Sequence, residues 1–267
     1  MYRRKLIVLL LLAGVAGAKE GLPLISNEAR HCAKPQVCLS LSVTSLDSPD
    51  KALNSYADGL LNLAFDDISP YNFKSLNQAG LESWLQHAAK ELELDKDDPL
   101  DTDYSYGYEL SQAGESAHYR VLDLDTSACL GGAHCGGNAS YFVLPKTGEL
   151  RVLALDDILL PNQRGRLDEL LKAAAARYMQ GDEPGEPIAL GADDKWRWAS
   201  DDWRPAREGL IFRYGSGQLD GYAGGLPELL LTKEQLRDIV KPEILAECDS
   251  WQSQEPGAIT PKPQWRD

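Results

Sequence analysis

The sequence predicts an α+β fold, a largely antiparallel sheet with helices packed on one side. Three observations carry that expectation. Segments in which apolar and polar residues alternate recur along the chain, the period of half-buried strands. Three longer segments repeat apolar residues every three or four positions, the period of amphipathic helices. Several of the strand patterns are joined by short turns, such as Lys146-Thr147-Gly148-Glu149, rather than by crossovers.

The first element is an export signal. Arg3, Arg4 and Lys5 precede an apolar run over residues 6–15, and Ala16-Gly17-Ala18 supplies small residues for cleavage. Those ten apolar residues are about half of the ~20 that span a bilayer. The expectation is a signal at residues 1–18 and a mature chain from Lys19 that is exported, periplasmic or secreted, and not membrane-embedded. Residues 19–35 lack periodicity and are expected as an extended arm.

A single domain is expected over residues 36–248. Val37, Leu39, Leu41 and Val43 alternate with Cys38, Ser40, Ser42 and Thr44. Asp47-Ser48-Pro49 reads as a helix start, with Ser48 as N-cap and Pro49 in the first turn. Leu53, Tyr56, Ala57, Leu60, Leu61, Ala64 and Phe65 follow at helical spacing, and a second helix fits residues 74–92. Residues 95–103, rich in aspartate, read as a loop. Tyr104, Tyr106, Tyr108 and Leu110 alternate, and residues 118–124 return. Residues 139–144 and 150–155 read as a hairpin, with the apolar run 141–144 covered on both faces. A third helix fits residues 164–180, and a Gly-, Pro- and acid-rich loop residues 181–194. Leu210, Phe212 and Tyr214 open another strand, and residues 226–231 form the last. Thr232-Lys233-Glu234-Gln235 is a capping box opening a helix to Val240, stopped by Pro242. Residues 249–267, with isolated Trp251 and Trp265, are expected as a loose tail.

The net charge is −14, and removing the signal makes it −17. That argues against nucleic acid or anionic lipid as a partner, since phosphate binding requires clustered Lys and Arg; it favours solubility first, and it would also speed encounter with a basic protein. Of the five cysteines, Cys32 and Cys38 share one spacing with Cys129 and Cys135, five residues between partners. In an exported chain the simplest assignment is two local disulfides, with Cys248 free or intermolecular. Other pairings of five cysteines remain open at the level of sequence.

The candidate chemistry is sparse. Cys129, His134 and Cys135 lack a fourth metal ligand, so neither metal nor cofactor is expected. Cys135 with His134 or His118 as base would need a reduced thiol, which a disulfide removes. Asp156-Asp157, Asp193-Asp194 and Asp201-Asp202 are the carboxylate pairs; the first, after a strand, is the best candidate for glycan hydrolysis and otherwise caps the next turn. Trp196, Trp198 and Trp203 lie among Arg197, Arg204 and Arg207, a cluster that is a binding patch if exposed and core if buried. Gly131, Gly132 and His134 mark one loop, and Tyr222, Gly224 and Gly225 mark another. Together these loops are expected to form a binding rim.

Leu130-Gly131-Gly132-Ala133-His134, then the pattern of residues 141–155 around Lys146-Thr147-Gly148, Gly209-Leu210-Ile211-Phe212, and Gly221-Tyr222-Ala223-Gly224-Gly225 before Glu228 resemble, in this order, the extracellular domain of RsiV-type anti-sigma factors. That domain also sits beside polysaccharide deacetylase domains in some cell-wall enzymes. The resemblance covers residues 104–240 most clearly. It implies an α+β module of the cell envelope, and in the anti-sigma factor that domain binds lysozyme as a sensor. Cys129 and Cys135 look like additions to the pattern. With no sigma-binding segment, membrane helix or deacetylase domain in the sequence, the expectation is a non-catalytic binding module, with lysozyme-like basic proteins or a wall component as ligand. The alternatives are a wall glycan hydrolase and a structural envelope protein.

Overall fold

The computed structural model describes residues 19–34, 37–66, 77–91, 103–130, 134–180, 200–216, 218–219, 225–255 and 259–261. The export signal and the loop at 181–194 lie outside the described residues, as does most of the loop at 95–103. In chain order the elements begin with β1 (Lys19–Glu20), β2 (Leu24–Lys34), β3 (Val37–Leu46), α1 (Lys51–Asp66) and α2 (Gln78–Glu91). Then come β4 (Tyr104–Glu115), β5 (Tyr119–Leu130), β6 (His134–Pro145), α3 (Leu155–Ile158) and α4 (Arg164–Gln180). The chain continues with β7 (Trp203–Ala206), β8 (Gly209–Arg213), β9 (Glu228–Thr232), α5 (Lys233–Leu236), α6 (Pro242–Glu247), β10 (Gln252–Glu255) and β11 (Ile259–Pro261).

The fold is α+β. In the large sheet the strands run β6-β5-β4-β3-β2-β11, and β10 occupies the edge of β4 beyond the end of β3, with β1 outside it. The long ladders β2–β3, β4–β5 and β5–β6 are antiparallel. β3 and β4 are parallel, a pairing that a tight turn cannot make, and α1 and α2 lie in the connection between them. Strands β7, β8 and β9 form a separate antiparallel sheet.

Alternation decides which face each side chain takes. Leu39, Leu41 and Val43 of β3, Tyr108 and Leu110 of β4, and Leu122 and Leu124 of β5 pack with Leu53, Leu61, Phe65 and Trp84 of the two helices in a first core. A fully buried Leu or Phe contributes about 1.5–3 kcal/mol relative to exposure. Among the described residues the opposite face is covered at one end only. There Val121, Tyr141 and Val143 meet α3, α4, the small sheet and α6 in a second core holding Trp203, Phe212 and Ile244. Strand β6 thus buries Leu144 on one side and Val143 on the other, as its apolar run predicts.

The structure corrects four expectations. Residues 24–34 are not an unpaired arm but strand β2, in register from Leu24 opposite Leu46 to Cys32 opposite Cys38. Buried Asn27, between Ile25 and Ala29, breaks the apolar period that would have revealed it. Ser48 does not cap α1: Asp50 Oδ1 accepts from the N–H groups of Ala52 and Leu53, and Ser48 Oγ instead accepts from Asp50 N–H. Residues 150–154 do not return as a strand. They make one ladder bond, Leu153 N–H to Val143 C=O at 2.8 Å, before Asp157 Oδ2 accepts from Ala154 N–H and starts α3. The described part of the tail is not loose, because Trp251 is buried and β10 pairs with β4. A Cβ on Gly114 would lie 2.5 Å from the Trp251 ring, so glycine is what admits the indole.

Helix α4 spans the expected residues, and the capping box closes as expected, Thr232 Oγ1 accepting from Gln235 N–H while Gln235 Oε1 accepts from Thr232 N–H. The helix that this box opens ends at Leu236 and not at Val240, so Pro242 does not stop it but opens α6, in the first-turn position proline tolerates. The disulfides are Cys32–Cys38 and Cys129–Cys135, the chemistry of an oxidising compartment. Cys248 is free and buried, its Sγ donating to the Gly209 carbonyl at 3.1 Å. Among the described residues no helix is long and apolar enough to cross a membrane.

Two outcomes follow from this packing. Trp251→Ala is expected to lower stability by about 3–5 kcal/mol in urea unfolding, where a loose tail would show no change. Burial pushes the Cys248 thiol up to about 11, so a thiol reagent is expected to modify one group per chain only after denaturation without reductant. Labelling of the native chain would contradict the buried thiol.

Candidate functional site

The half of the large sheet's second face left uncovered is polar. Ser42 and Thr44 of β3, Gly107 and Glu109 of β4, Asp125 and Ser127 of β5, and Gly137 of β6 floor a cavity of about 540 Å³. Glu109 stands directly opposite Asp125 in the ladder, and Ser111 opposite Asp123. Directly opposed residues on one face bring their Cβ atoms to about 5 Å, so two carboxylates share one patch. A smaller cavity of about 250 Å³ continues past Glu109 and Asp125 to Tyr141, Arg204 and Gln254.

Between this patch and the covered end lies a network around Arg213, whose side chain is 9% exposed. Its guanidinium donates to both Asp123 oxygens, at 2.6 and 3.1 Å, and through Nε to Glu228 Oε1 at 3.2 Å. It also lies 3.6 Å from the centre of the Tyr141 ring and donates to the Tyr141 hydroxyl oxygen. Tyr141 Oη in turn donates to Glu228 Oε1 at 2.5 Å. Arg204 covers the same ring at 5.1 Å and pairs with Glu228 at 3.4 Å. Asp202 Oδ1 accepts from Tyr141 N–H at 2.6 Å. Strands of both sheets are thereby tied by charge-assisted bonds, the stronger class.

Burial and neighbouring charge set the protonation here. Burial pushes Asp202 up to about 7 despite the Tyr141 N–H. Partial desolvation first, and then the charge of Asp123, push Asp125 up to about 6, although the residue keeps a side exposed to solvent. Glu247 behaves oppositely at the far end of β4 and β5. Burial disfavours its charge, yet the hydrogen bonds from His118 and Ser116 hold it below the ordinary glutamate value. It accepts from Ser116 Oγ at 2.7 Å and His118 N–H at 2.9 Å, and His118 Nδ1 lies 2.6 Å away. The histidine and serine are therefore committed to a carboxylate that holds a turn.

The expected site residues divide. Gly131, Gly132, Tyr222, Gly224, Trp196 and Trp198 lie outside the described residues, and His134 is described only as backbone opposite Leu130. Gly225 is exposed and takes a φ of 78°, the left-handed region that favours glycine. Together with Ser216 and Leu226 it borders the larger cavity, as do Cys135, Gly136 and Gly137. The described flanks of the two glycine segments thus meet at one cavity. Trp203 is core, 1% exposed, and not a surface contact. Asp156 and Asp157 are each paired with a different arginine, Asp156 with Arg164 at 2.9 Å and Asp157 with Arg151 at 2.7 Å. Those hydrogen bonds, first from Arg151 and then from Ala154 N–H, hold Asp157 below the ordinary aspartate value. Among the described residues no group of three His, Cys, Asp or Glu side chains is arranged to hold a metal.

Glu109, Asp123 and Asp125 are missing from the sequence expectation, although a signal existed. Asp123-Leu124-Asp125 alternates within a strand, which places both carboxylates on the face opposite Leu124. Arg213 carried no such signal, since its partner Asp123 is 90 positions away.

A raised carboxylate pKa has a definite sign. The folded state binds the Asp202 proton more tightly than the unfolded chain, whose aspartates titrate near the ordinary 3.8. This contribution to stability is complete below pH about 4 and is lost as pH rises through about 7. Asp202→Asn keeps an acceptor for Tyr141 N–H and is expected to flatten that loss, read as urea midpoints at pH about 5 and about 8. An unchanged slope would assign the titration elsewhere.

No family model matches the sequence, and no curated protein does. Solved structures do. A member of the DUF3298 family from Bacteroides fragilis superposes with a TM-score of 0.62 at 18% identity, covering 87% of this chain and 99% of that one. A DUF3298 family protein from Pseudomonas aeruginosa PAO1 gives 0.57 at 17% identity, covering 84% and 96%. At such identity the likeness is one of fold, and the fold of this chain is that of DUF3298 proteins.

Proposed function

We propose that this chain is an exported, periplasmic or secreted, non-catalytic binding module of the cell envelope, and that its ligand is a basic protein, lysozyme-like proteins being the most concrete candidate. The observation that carries this reading is the cavity of about 540 Å³ on the open sheet face, bordered by the flanks of both glycine segments and holding Glu109 and Asp125. The other carboxylates of that region are already answered by arginine: Asp123 by Arg213, and Glu228 by Arg213 and Arg204. The chain's net charge of −14 reinforces the local field, which speeds encounter with a cationic partner. The likeness of the sequence to the lysozyme-sensing domain of RsiV-type anti-sigma factors points the same way.

A second reading has one observation in its favour. Asp125, pushed up to about 6 and opposite Glu109, has the form of a general acid beside a second carboxylate, the pairing glycoside hydrolysis uses. One experiment separates the two. The chain is titrated calorimetrically against lysozyme at low and high salt, and wall hydrolysis is followed in the same samples. Binding that weakens with salt, and falls about tenfold in Glu109→Gln/Asp125→Asn, without wall cleavage, supports the binding module. Wall cleavage abolished by Asp125→Asn would establish the hydrolase instead. Inertness in both assays overturns both and leaves a structural role in the envelope.

A further inference from the structure

Among the described residues strand β6 ends the large sheet on its side, and no strand pairs with its outer edge, where Asp202 and Gly215 approach it. Proteins commonly protect such edges with Lys, Pro or bulges. Residues 135–140 read Cys-Gly-Gly-Asn-Ala-Ser, and the ladder to β5 runs without a register shift. Two bonds fix where the free backbone groups point. Tyr141 N–H leaves the ladder to reach Asp202 Oδ1, and the Val143 carbonyl accepts from Leu153 N–H. Backbone direction repeats every second residue, so the N–H and C=O groups of Gly137 and Ala139 point the same way. Among the described residues no backbone bond reaches them; Gly136, Gly137 and Asn138 are exposed, while Ala139 is buried at 7% exposure.

Two cavities of different chemistry flank this edge. On the open face is the cavity of about 540 Å³ with Glu109 and Asp125. On the other side is one of about 660 Å³, apolar at its helix wall, where Leu60, Leu63 and Phe142 line it, and polar at the opposite wall, where Ser200, Asp202 and Arg213 do; Leu63 is 65% exposed. Thr126 and Asn138 border both, so the edge runs between them. A strand laid along β6 would send alternate side chains toward the carboxylates of the first cavity and toward the apolar helix wall of the second.

We infer that β6 receives an extended segment of a partner protein by strand addition, and that this segment alternates basic with apolar residues. Main-chain hydrogen bonds supply affinity and the alternating cavities supply selectivity. The inference rests on the proposed function and specifies how the same site engages its partner. The edge is held ready for it. The Cys129–Cys135 disulfide joins β6 to β5, and a Cβ on Gly137 would stand 2.5 Å from the Thr126 carbonyl, so this close ladder requires glycine there. A preformed edge avoids an ordering cost on binding.

The probe is a short synthetic peptide alternating lysine and valine. Its controls are an isomer with the lysines and valines in separate blocks, and a copy N-methylated at alternate residues. Each is titrated by fluorescence anisotropy against the whole chain and its Leu63→Ser and Asp125→Asn variants, with hydrogen exchange at Gly137 and Ala139. Lysozyme is titrated against the same proteins. The alternating peptide is expected to bind, to protect those two amides, and to bind about tenfold more tightly than either control. Each variant is expected to weaken it severalfold, Leu63→Ser without changing the unfolding midpoint. Equal binding of all three peptides, or protection confined to other strands, overturns strand addition; if lysozyme still binds, the proposed function stands. Lysozyme failing to bind while the alternating peptide protects the edge supports strand addition and removes lysozyme as the partner. A concentration-dependent dimer that protects the same amides without peptide overturns the inference in favour of pairing between two copies.

Discussion

Arg213 is the constraint on which the arrangement of the two layers depends. A guanidinium left with 9% of its side chain exposed needs partners on every side, and it draws them from both sheets: Asp123 and Tyr141 from the large one, Glu228 from the small one. Removing one partner of a buried pair typically costs about 3–5 kcal/mol, while the intact pair adds little net stability over an apolar substitute. The gain is therefore positional. The cation fixes the small sheet over one end of the large sheet's second face, and the other end remains open.

That positioning also sorts the carboxylates. Those within reach of Arg213 and Arg204 are neutralised, and Asp202 is occupied by Tyr141 N–H. Glu109 and Asp125, one step further along the ladder, share an open cavity instead. Opposed like charges disfavour one another, and this mutual repulsion is relieved when a cation arrives. A field built this way acts on association rate and is screened over about 8 Å at physiological ionic strength. This is the electrostatic basis of the cationic partner proposed above.

Much of this frame is legible in the sequence, and the losses have physical causes. Alternation in Val37, Leu39, Leu41 and Val43 and the helical spacing from Leu53 to Phe65 report local burial directly, and those elements are where the pattern puts them. Strand β2 was hidden because Asn27 occupies an inward position. The C-terminal strand was hidden because one large side chain, Trp251, secures it, and a single anchor has no period. Cys32–Cys38 and Cys129–Cys135 were legible because both partners are local. The Arg213 network was not, since long-range pairing leaves no local trace. The two glycine segments were recognisable as special, but only the fold shows that their flanks border the same cavity.

The frame is pinned at both ends of its longest ladders, and this bears on what the open face can do. At one end, Leu39 and Leu130 both stand beside Tyr104, so the two disulfides lie on either side of the start of β4. Asp103 joins them there, accepting from Cys38 N–H at 3.1 Å and from Arg30 at 3.0 Å. Loops this short yield only about 2 kcal/mol per disulfide in the chain-entropy account, so the bridges matter for local shape more than for global stability. At the other end, Glu247 and Ser250 hold the β4–β5 turn through Ser116, Ala117 and His118, while Trp251 fills the space that Gly114 leaves. With its ends fixed and Arg213 between them, the sheet has little freedom to adjust its twist. On the proposed reading, a partner of this face has to conform to it, and an extended segment, which has no tertiary structure of its own to disturb, conforms most easily.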